Sequence, residues 1–168
     1  MPDYTLRHMA CAYIWNESNV LMLKKASQGT LFPNLWVPVG GHIEPEEATT
    51  PKAACLREIE EETGLSGNQL TNIKEKYITI RRKHDEIRFQ HIFVCHTESH
   101  EVIDSDEGKL AWIPEEKLLG LEMSITNRMV LKHYFSSDRD TDDLFMGIVD
   151  ASESKLVWVK LDSLDTPF

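Results

Sequence analysis

The segment from Thr50 to Leu65 specifies one helix with a defined start and a defined end. Thr50 is a favourable N-cap residue, and Pro51 suits the first helical position because proline lacks the backbone N–H that has no partner there. The segment KAACLREIEEET favours helix formation, and Gly64 followed by Leu65 is typical of a left-handed stop with its apolar contact. The sequence therefore predicts a helix over residues 51–63.

The second half of this helix carries dense negative charge. On a helix that advances about 100° per residue, Glu58, Glu61 and Glu62 fall on one side. Glu60 points away from them, and Ile59 turns towards the core. Like charges at this spacing repel by roughly a few tenths of a kcal/mol per pair, and Mg²⁺, which prefers carboxylate and phosphate oxygens, would relieve the repulsion. The charge pattern alone nevertheless favours a solvated acidic face over a metal site.

Strands are predicted on both sides of the helix, because β-branched and aromatic residues cluster between turn-like segments. A hairpin comes first, formed by the strands YTLRHMACAYIW and VLMLKK. The extended segment WVPVGGHIEP then bends at Gly40-Gly41, where a glycine lets the backbone approach another group closely. Two long strands joined through HD follow the helix, and a short strand, KLAWI, comes next. Pro114 opens a short helix, Ser124 can cap a later one (ITNRMVLKHYF), and residues 138–168 comprise an acidic bend and a final hairpin.

Composition limits the classes of protein to which the chain can belong. Its 168 residues with 41% hydrophobic content suit a single domain over 1–168. A formal net charge of −10 argues against binding to a nucleic acid polymer, and no apolar run approaches the roughly 18 residues of a membrane span. Cys11, Cys55 and Cys95 are odd in number and share no CxxC spacing, which predicts a reducing cytoplasm rather than a disulfide framework or a thiolate zinc site.

The segment GGHIEPEEATTPKAACLREIEEETGL resembles the signature of the Nudix hydrolases, Gly-x5-Glu-x7-Arg-Glu-U-x-Glu-Glu-x-Gly-U, where U is aliphatic. Nine residues rather than seven separate Glu47 from Arg57, which indicates two extra residues in the loop 46–49 and leaves Glu44 and Glu46 as alternatives to Glu47. The matching residues are Gly41, Glu47, Arg57, Glu58, Ile59, Glu61, Glu62, Gly64 and Leu65.

The resemblance covers about residues 5–135 and implies the Nudix fold, an α/β (mixed α+β) architecture with a mixed β-sheet between helices in an α/β/α sandwich. It implies that Glu58, Glu61 and Glu62 are metal ligands, together with the backbone carbonyl of Gly41 and a later acidic residue. Glu107 in SDEG is the candidate for that later ligand. The catalytic candidates are Arg57, which can tether a carboxylate, and Glu58 or Glu107, either of which could be the general base.

The activity that the resemblance implies is the hydrolysis of a nucleoside diphosphate linked to another group, with Mg²⁺ as cofactor and Mn²⁺ as an alternative. The chain most resembles the MutT-like branch, whose members convert oxidised purine nucleoside triphosphates such as 8-oxo-dGTP to the monophosphate and pyrophosphate. Trp36 could stack on a base and Asn127 could read a base edge, whereas Val37 stands where some 8-oxoguanine hydrolases have asparagine.

Other functions remain open from the sequence. The substrate could be another nucleotide conjugate, such as ADP-ribose, a dinucleoside polyphosphate or a nucleotide sugar, although the downstream proline of ADP-ribose hydrolases and the SQPWPFPxS motif of NADH hydrolases are missing. A non-catalytic nucleotide-sensing module is the alternative outside enzymes, but such modules usually lose the glutamates that this chain retains. The expected partner is a small nucleotide, and the protein could be a monomer or a homodimer.

Overall fold

The computed structural model describes residues 3–27, 33–136, 139, 141–150, 152 and 154–162. Its strands and helices follow one another along the chain as predicted for a mixed α+β fold. The strands are β1 (Thr5–Asn16), β2 (Asn19–Lys25), β3 (Trp36–Val37), β4 (Val39–His42), β5 (Thr71–Lys83), β6 (Glu86–His96), β7 (Gly108–Pro114), β8 (Leu144–Asp150) and β9 (Lys155–Leu161). The helices are α1 (Pro51–Thr63), α2 (Glu115–Leu118) and α3 (Ile125–Ser136).

The described strands form one mixed sheet in the order β3-β2-β1-β6-β5-β8-β9. β4 pairs with β1 on the same edge as β2, and β7 pairs with β2. The pairs β1–β6 and β5–β8 are parallel, and the other pairs are antiparallel. The last two strands, β8 and β9, pair as a hairpin that extends the sheet beyond β5, whereas part of the acidic segment before them lies outside the described residues.

Helices cover both faces of the sheet, and each face has its own apolar cluster. On one face Ile59 of α1 packs with Ala12 and Ile14 of β1. On the other face Leu131 of α3 packs with Tyr13 of β1. The alternation of β1 side chains between the two faces allows a single strand to serve both clusters. The prediction of a mixed sheet between helices is confirmed.

No helix among the described residues is both long enough and apolar enough to traverse a lipid bilayer.

Candidate active site

Helix α1 has the predicted bounds and presents the acidic residues towards β4. Gly64 adopts a left-handed conformation with φ 75° and ends the helix, as predicted. Thr50 occupies the N-cap position, as predicted, and its hydroxyl donates to the carbonyl oxygen of Glu47 at 3.3 Å rather than accepting a helix N–H. Thr50 therefore ties the start of the helix to the loop before it.

Arg57 connects most of the acidic groups around α1. Its Nε and Nη2 donate to the two carboxylate oxygens of Glu47, each at 2.8 Å. Its Nη1 donates to Glu58 at 2.9 Å and to Glu61 at 3.1 Å, and Nη2 also reaches the carbonyl oxygen of His42 at 3.0 Å. The hydrogen bonds that Arg57 donates to Glu47 and Glu58 raise its pKa, so it stays charged. Arg57 thus orients carboxylates, which is the tethering role predicted from the sequence.

Glu47 is the acidic residue that reaches Arg57, despite the two extra residues. The chain from Pro45 to Glu47 forms a 3₁₀ turn, and the carboxylate of Glu47 also accepts the backbone N–H of Glu44 at 3.1 Å. The hydrogen bond from Arg57 lowers the pKa of Glu47 to about 2. The insertion is accommodated by the turn before α1, so neither Glu44 nor Glu46 replaces Glu47 in this pairing.

The three glutamates predicted as metal ligands have different environments. Glu62 is 5% exposed and accepts the backbone N–H of Gly40 at 2.8 Å, and burial raises its pKa to about 7. Burial also raises the pKa of Glu58, although the hydrogen bond from Arg57 opposes the shift. The side chain of Glu61 is 60% exposed.

The three carboxylates, which lie on one side of the helix, have different hydrogen-bond partners in the structure. Among the residues that the structure describes, no three His, Cys, Asp or Glu side chains are placed to hold a metal ion in common. The physical reason is that the guanidinium of Arg57 bonds to Glu58 and Glu61 on one side, while the carboxylate of Glu62 turns to Gly40.

Gly41 lies directly against Glu58, as expected from a glycine that permits close approach. A Cβ at position 41 would lie 2.3 Å from Oε2 of Glu58, which is far shorter than a van der Waals contact. Gly40 precedes it with φ 146°, a conformation that disfavours other residues. The backbone at Gly40-Gly41 therefore contacts two of the predicted metal ligands, Glu58 through close approach and Glu62 through a hydrogen bond.

Glu107 lies on the loop before β7, on the same side of the molecule as these glutamates. Its carboxylate forms an ion pair with Lys25 at the end of β2, and its backbone carbonyl accepts the N–H of Ala26. Its negative charge contributes to the raised pKa of Glu58 and of Glu62. The two segments that the sequence predicted to share a site, α1 and the SDEG loop, are therefore neighbours.

A cavity of about 270 Å³ begins beside Gly40 and Lys25 and passes the start of α3. Asn127, the residue predicted to read a base edge, lines this cavity and is only 5% exposed. Ser124 accepts the backbone N–H of Asn127 at 3.2 Å, as predicted for a helix cap. The structure thus brings Asn127 to the candidate substrate site.

Trp36 does not line the cavity, so its predicted stacking role is not supported. Its indole packs against the apolar cluster on the α3 face, and Nζ of Lys24 lies 5.8 Å from the ring centroid. Val37, the next residue, is the one that lines the cavity. Successive side chains of a strand point in opposite directions, so only one of these two neighbours can face the ligand.

The sequence reasoning missed four polar residues that line this cavity. Lys25 lies at the end near Glu107, whereas Gln90, Arg88 and Arg81 lie on β6 and β5. A signal for the arginines was present, because a two-residue turn at His84-Asp85 places Arg81 opposite Arg88. Each of these side chains carries hydrogen-bond donors.

The groups around α1 fit a hard divalent cation. Their donors are carboxylate oxygens, which Mg²⁺ prefers, and two of them, Glu58 and Glu62, are held in partly or fully buried positions where negative charge is unfavourable. A cation would offset that penalty. Lys25, which lines the cavity, is already paired with Glu107.

Known proteins resemble this chain in sequence and in fold. The chain is 30% identical over 135 residues to the nucleoside triphosphatase NudI of Escherichia coli O1:K1 / APEC, with 75% of this chain and 94% of the relative covered. The MutT protein of Bacillus halodurans has the same fold, with a TM-score of 0.68, 22% identity and coverage of 92% of this chain and 97% of that chain. A C. elegans Ap4A hydrolase also shares the fold, with a TM-score of 0.61, 17% identity and coverage of 78% and 95%.

The family itself follows from the match across most of the sequence. The model of the NUDIX domain matches residues 5–134, which include the strands, α1 and α3 that build the site. The resemblance stated from the glutamate signature is therefore confirmed. The chain belongs to the Nudix family of hydrolases.

Proposed function

We propose that this protein hydrolyses a nucleoside triphosphate to the monophosphate and pyrophosphate, with Mg²⁺ as the cofactor and Mn²⁺ as a substitute. The observation that carries the proposal is that the buried Glu62 of α1 accepts a hydrogen bond from Gly40, which lines one end of a cavity whose other walls are suited to a nucleoside. The similarity to a nucleoside triphosphatase that covers 94% of that relative's length supports the same substrate class.

The residues of α1 would hold the cation on the acidic side of Gly40-Gly41. Glu58 and Glu62 are placed there by contacts to the glycine backbone, and Glu61 adds an exposed carboxylate one turn from Arg57. We include the carbonyl of Gly41 and the carboxylate of Glu107 in the proposed ligand set. Bound Mg²⁺ would neutralise the diphosphate and lower the pKa of a coordinated water.

Protein side chains would supply the remaining steps. Arg57 keeps the Glu58 carboxylate in place through a 2.9 Å hydrogen bond, so it acts as a positioning residue. The proton of the attacking water passes to Glu58 or to Glu107, the two carboxylates that approach the site from separate elements. Lys25, which already faces Glu107, adds positive charge where the phosphates enter the cavity.

The nucleoside would occupy the part of the cavity next to α3. The carboxamide of Asn127 has no hydrogen-bond partner in the part of the chain that the structure describes, and it faces this space. An amide can donate and accept, which suits contact with a base edge. We therefore assign Asn127 to substrate binding, and an oxidised purine triphosphate such as 8-oxo-dGTP is one candidate substrate.

The partner is a small nucleotide, since the net charge of −10 opposes binding to a polymer of phosphates. Cys11, Cys55 and Cys95 are buried free thiols, and a reducing cytoplasm remains the predicted compartment.

A nucleotide panel tests the proposal. Canonical and oxidised nucleoside triphosphates, dinucleoside polyphosphates, nucleotide sugars and ADP-ribose would each be incubated with the protein and Mg²⁺, and pyrophosphate and orthophosphate would be measured separately. The proposal predicts pyrophosphate from at least one triphosphate, with no product in metal-free buffer. Faster cleavage of a conjugate than of every triphosphate would refute the substrate class while leaving the hydrolytic site intact. Binding without cleavage of any nucleotide would instead favour a non-catalytic module.

A further inference from the structure

Two arginines face each other across neighbouring strands at the inner end of the cavity. Arg81 of β5 and Arg88 of β6 are directly opposite in the antiparallel register, so their side chains are on the same face of the sheet. Both line the cavity that contains Asn127 and Gly40. Like charges directly opposite on paired strands destabilise a sheet, so this arrangement needs a reason other than folding.

The charge of this arginine pair is only partly compensated. Glu86 accepts a hydrogen bond from Nε of Arg88 at 3.0 Å and forms an ion pair with its Nη2 at 2.9 Å, but the same carboxylate also pairs with Arg7 at 3.0 Å. The guanidinium of Arg81 makes no ion pair or hydrogen bond to any side chain or carbonyl that the structure describes. Arg81 is partly buried, and burial together with the charge of Arg88 lowers its pKa. An oxygen acceptor supplied by a ligand would satisfy its donors.

The position of the pair matches the base of a bound nucleotide rather than its phosphates. Gly40 lies on β4 at the end of the cavity next to the glutamates, and two strands, β1 and β6, lie between β4 and β5. Arg88 lies two strand spacings from β4 and Arg81 three, roughly 9 and 14 Å in the hydrogen-bonding direction, and both lie four residues along the strands from the row that pairs Gly40 with Cys11 and Cys11 with Ile92. A nucleotide whose phosphates adjoin Gly40 would therefore direct its base towards Arg81.

The geometry points to Arg81 and Arg88 as the determinants of base selectivity, favouring bases that present a carbonyl oxygen over those that present an amino group at the same position. This inference rests on the proposed hydrolysis of nucleoside triphosphates. A guanidinium has five N–H donors and no acceptor, so it bonds to a keto oxygen but meets an exocyclic amino group donor to donor. Gln90 and Asn127 carry amides that can both donate and accept, so they do not impose the same choice.

Two pairs of substrates that differ in one exocyclic group test the inference. UTP and CTP differ at C4, and ITP and ATP differ at C6, with oxygen in the first member and an amino group in the second. We expect kcat/KM of the wild-type protein to favour the keto member of each pair by roughly ten- to a hundredfold, the range expected for a hydrogen bond that involves a charged group. The substitution R81M should bring the ratio close to one, mainly through a higher KM for the keto substrate.

Arg82 supplies a matched control. It is the next residue on the same strand but points to the opposite face, where its Nε donates to the carbonyl oxygen of His84 at 3.0 Å and its guanidinium lies over Tyr4. R82M should retain the keto preference. R81M should also unfold at a temperature no lower than the wild type, because it removes a repulsion with Arg88. A lower melting temperature of R81M, together with an equal loss of kcat/KM for the keto and the amino member of a pair, would show that Arg81 has a structural role. That result would overturn the inference.

Equilibrium binding separates this inference from the proposed reaction. Titration calorimetry with UMP and CMP measures selectivity without turnover, for wild type and for R81M. Tighter binding of UMP that is lost in R81M supports the arginine pair even if no triphosphate is cleaved, a result that would refute only the proposed function. Equal binding of UMP and CMP by the wild type, or a keto preference unchanged in R81M, overturns the inference.

Discussion

Replacing Gly41 with alanine should displace the carboxylate of Glu58 without unfolding the protein. The new Cβ would lie 2.3 Å from Oε2, 2.6 Å from Cδ and 2.8 Å from Oε1 of Glu58, so the carboxylate must retreat by about 1 Å to reach an ordinary contact distance. That movement would disturb its 2.9 Å hydrogen bond from Arg57. A misplacement of roughly 1 Å in a catalytic group can lower the rate about 10²-fold, so we expect a loss of that order in kcat.

The stability of G41A should change little, because the obstructing atoms belong to the end of a flexible side chain. The backbone at Gly41 does not have a positive φ, and replacing glycine by alanine at a compatible position changes the free energy of unfolding by about 1 kcal/mol or less. Steady-state kinetics with Mg²⁺ and a thermal melt would measure both effects. G67A is the matched control, since its Cβ would make only ordinary contacts of 3.9 and 4.0 Å with Leu56. Wild-type kcat in G41A, or a loss of equal size in G67A, would refute the reasoning.

Four further predictions concern the glutamates and the loop before α1. E62Q should lower kcat at least ~10²-fold in steady-state assays, while its melting temperature in metal-free buffer stays the same or rises because a buried charge is removed. Millimolar Mg²⁺ should raise the melting temperature of the wild type by mass action but not that of the triple variant with glutamine at Glu58, Glu61 and Glu62; equal shifts would indicate a solvated acidic face. Deleting residues 48–49 should leave measurable hydrolysis, because both Glu47 and the helix start at Thr50 are retained and a change in loop length has a small effect on stability. E107Q should lower kcat with a small change in melting temperature; full activity in E107Q would remove Glu107 from the site.

The helix could be predicted closely because its limits depend on local chemistry. Proline at position 51 and a left-handed glycine at position 64 act on their own neighbours, and the bounds 51–63 follow from them. Ile59 and Glu60 likewise face the core and the solvent as helical periodicity requires. The orientation of the carboxylates was less predictable, because it depends on hydrogen bonds from Arg57 and Gly40 that periodicity does not describe.

Residues that reach the site from other elements were predicted less well for a different reason. Whether Trp36 or Val37 faces the cavity depends on how a two-residue strand pairs with β2, and sequence alone does not fix that pairing. Asn127 is buried because α3 packs across the sheet beside the cavity, which is a tertiary effect. The register of β5 is further altered by irregularities between Thr71 and Lys74 and between Glu75 and Tyr77, so alternation along the whole strand would misplace its side chains.

The central claim is that the acidic face of α1 forms a metal-dependent centre that cleaves nucleoside triphosphates. The most direct test is product identification by phosphorus NMR after incubation of UTP with Mg²⁺ and either the wild type or E62Q, with purified proteins at equal concentration. We expect stoichiometric UMP and pyrophosphate from the wild type and a rate at least ~10²-fold lower from E62Q. Stepwise release of orthophosphate through UDP, or equal rates in the two proteins, would contradict it.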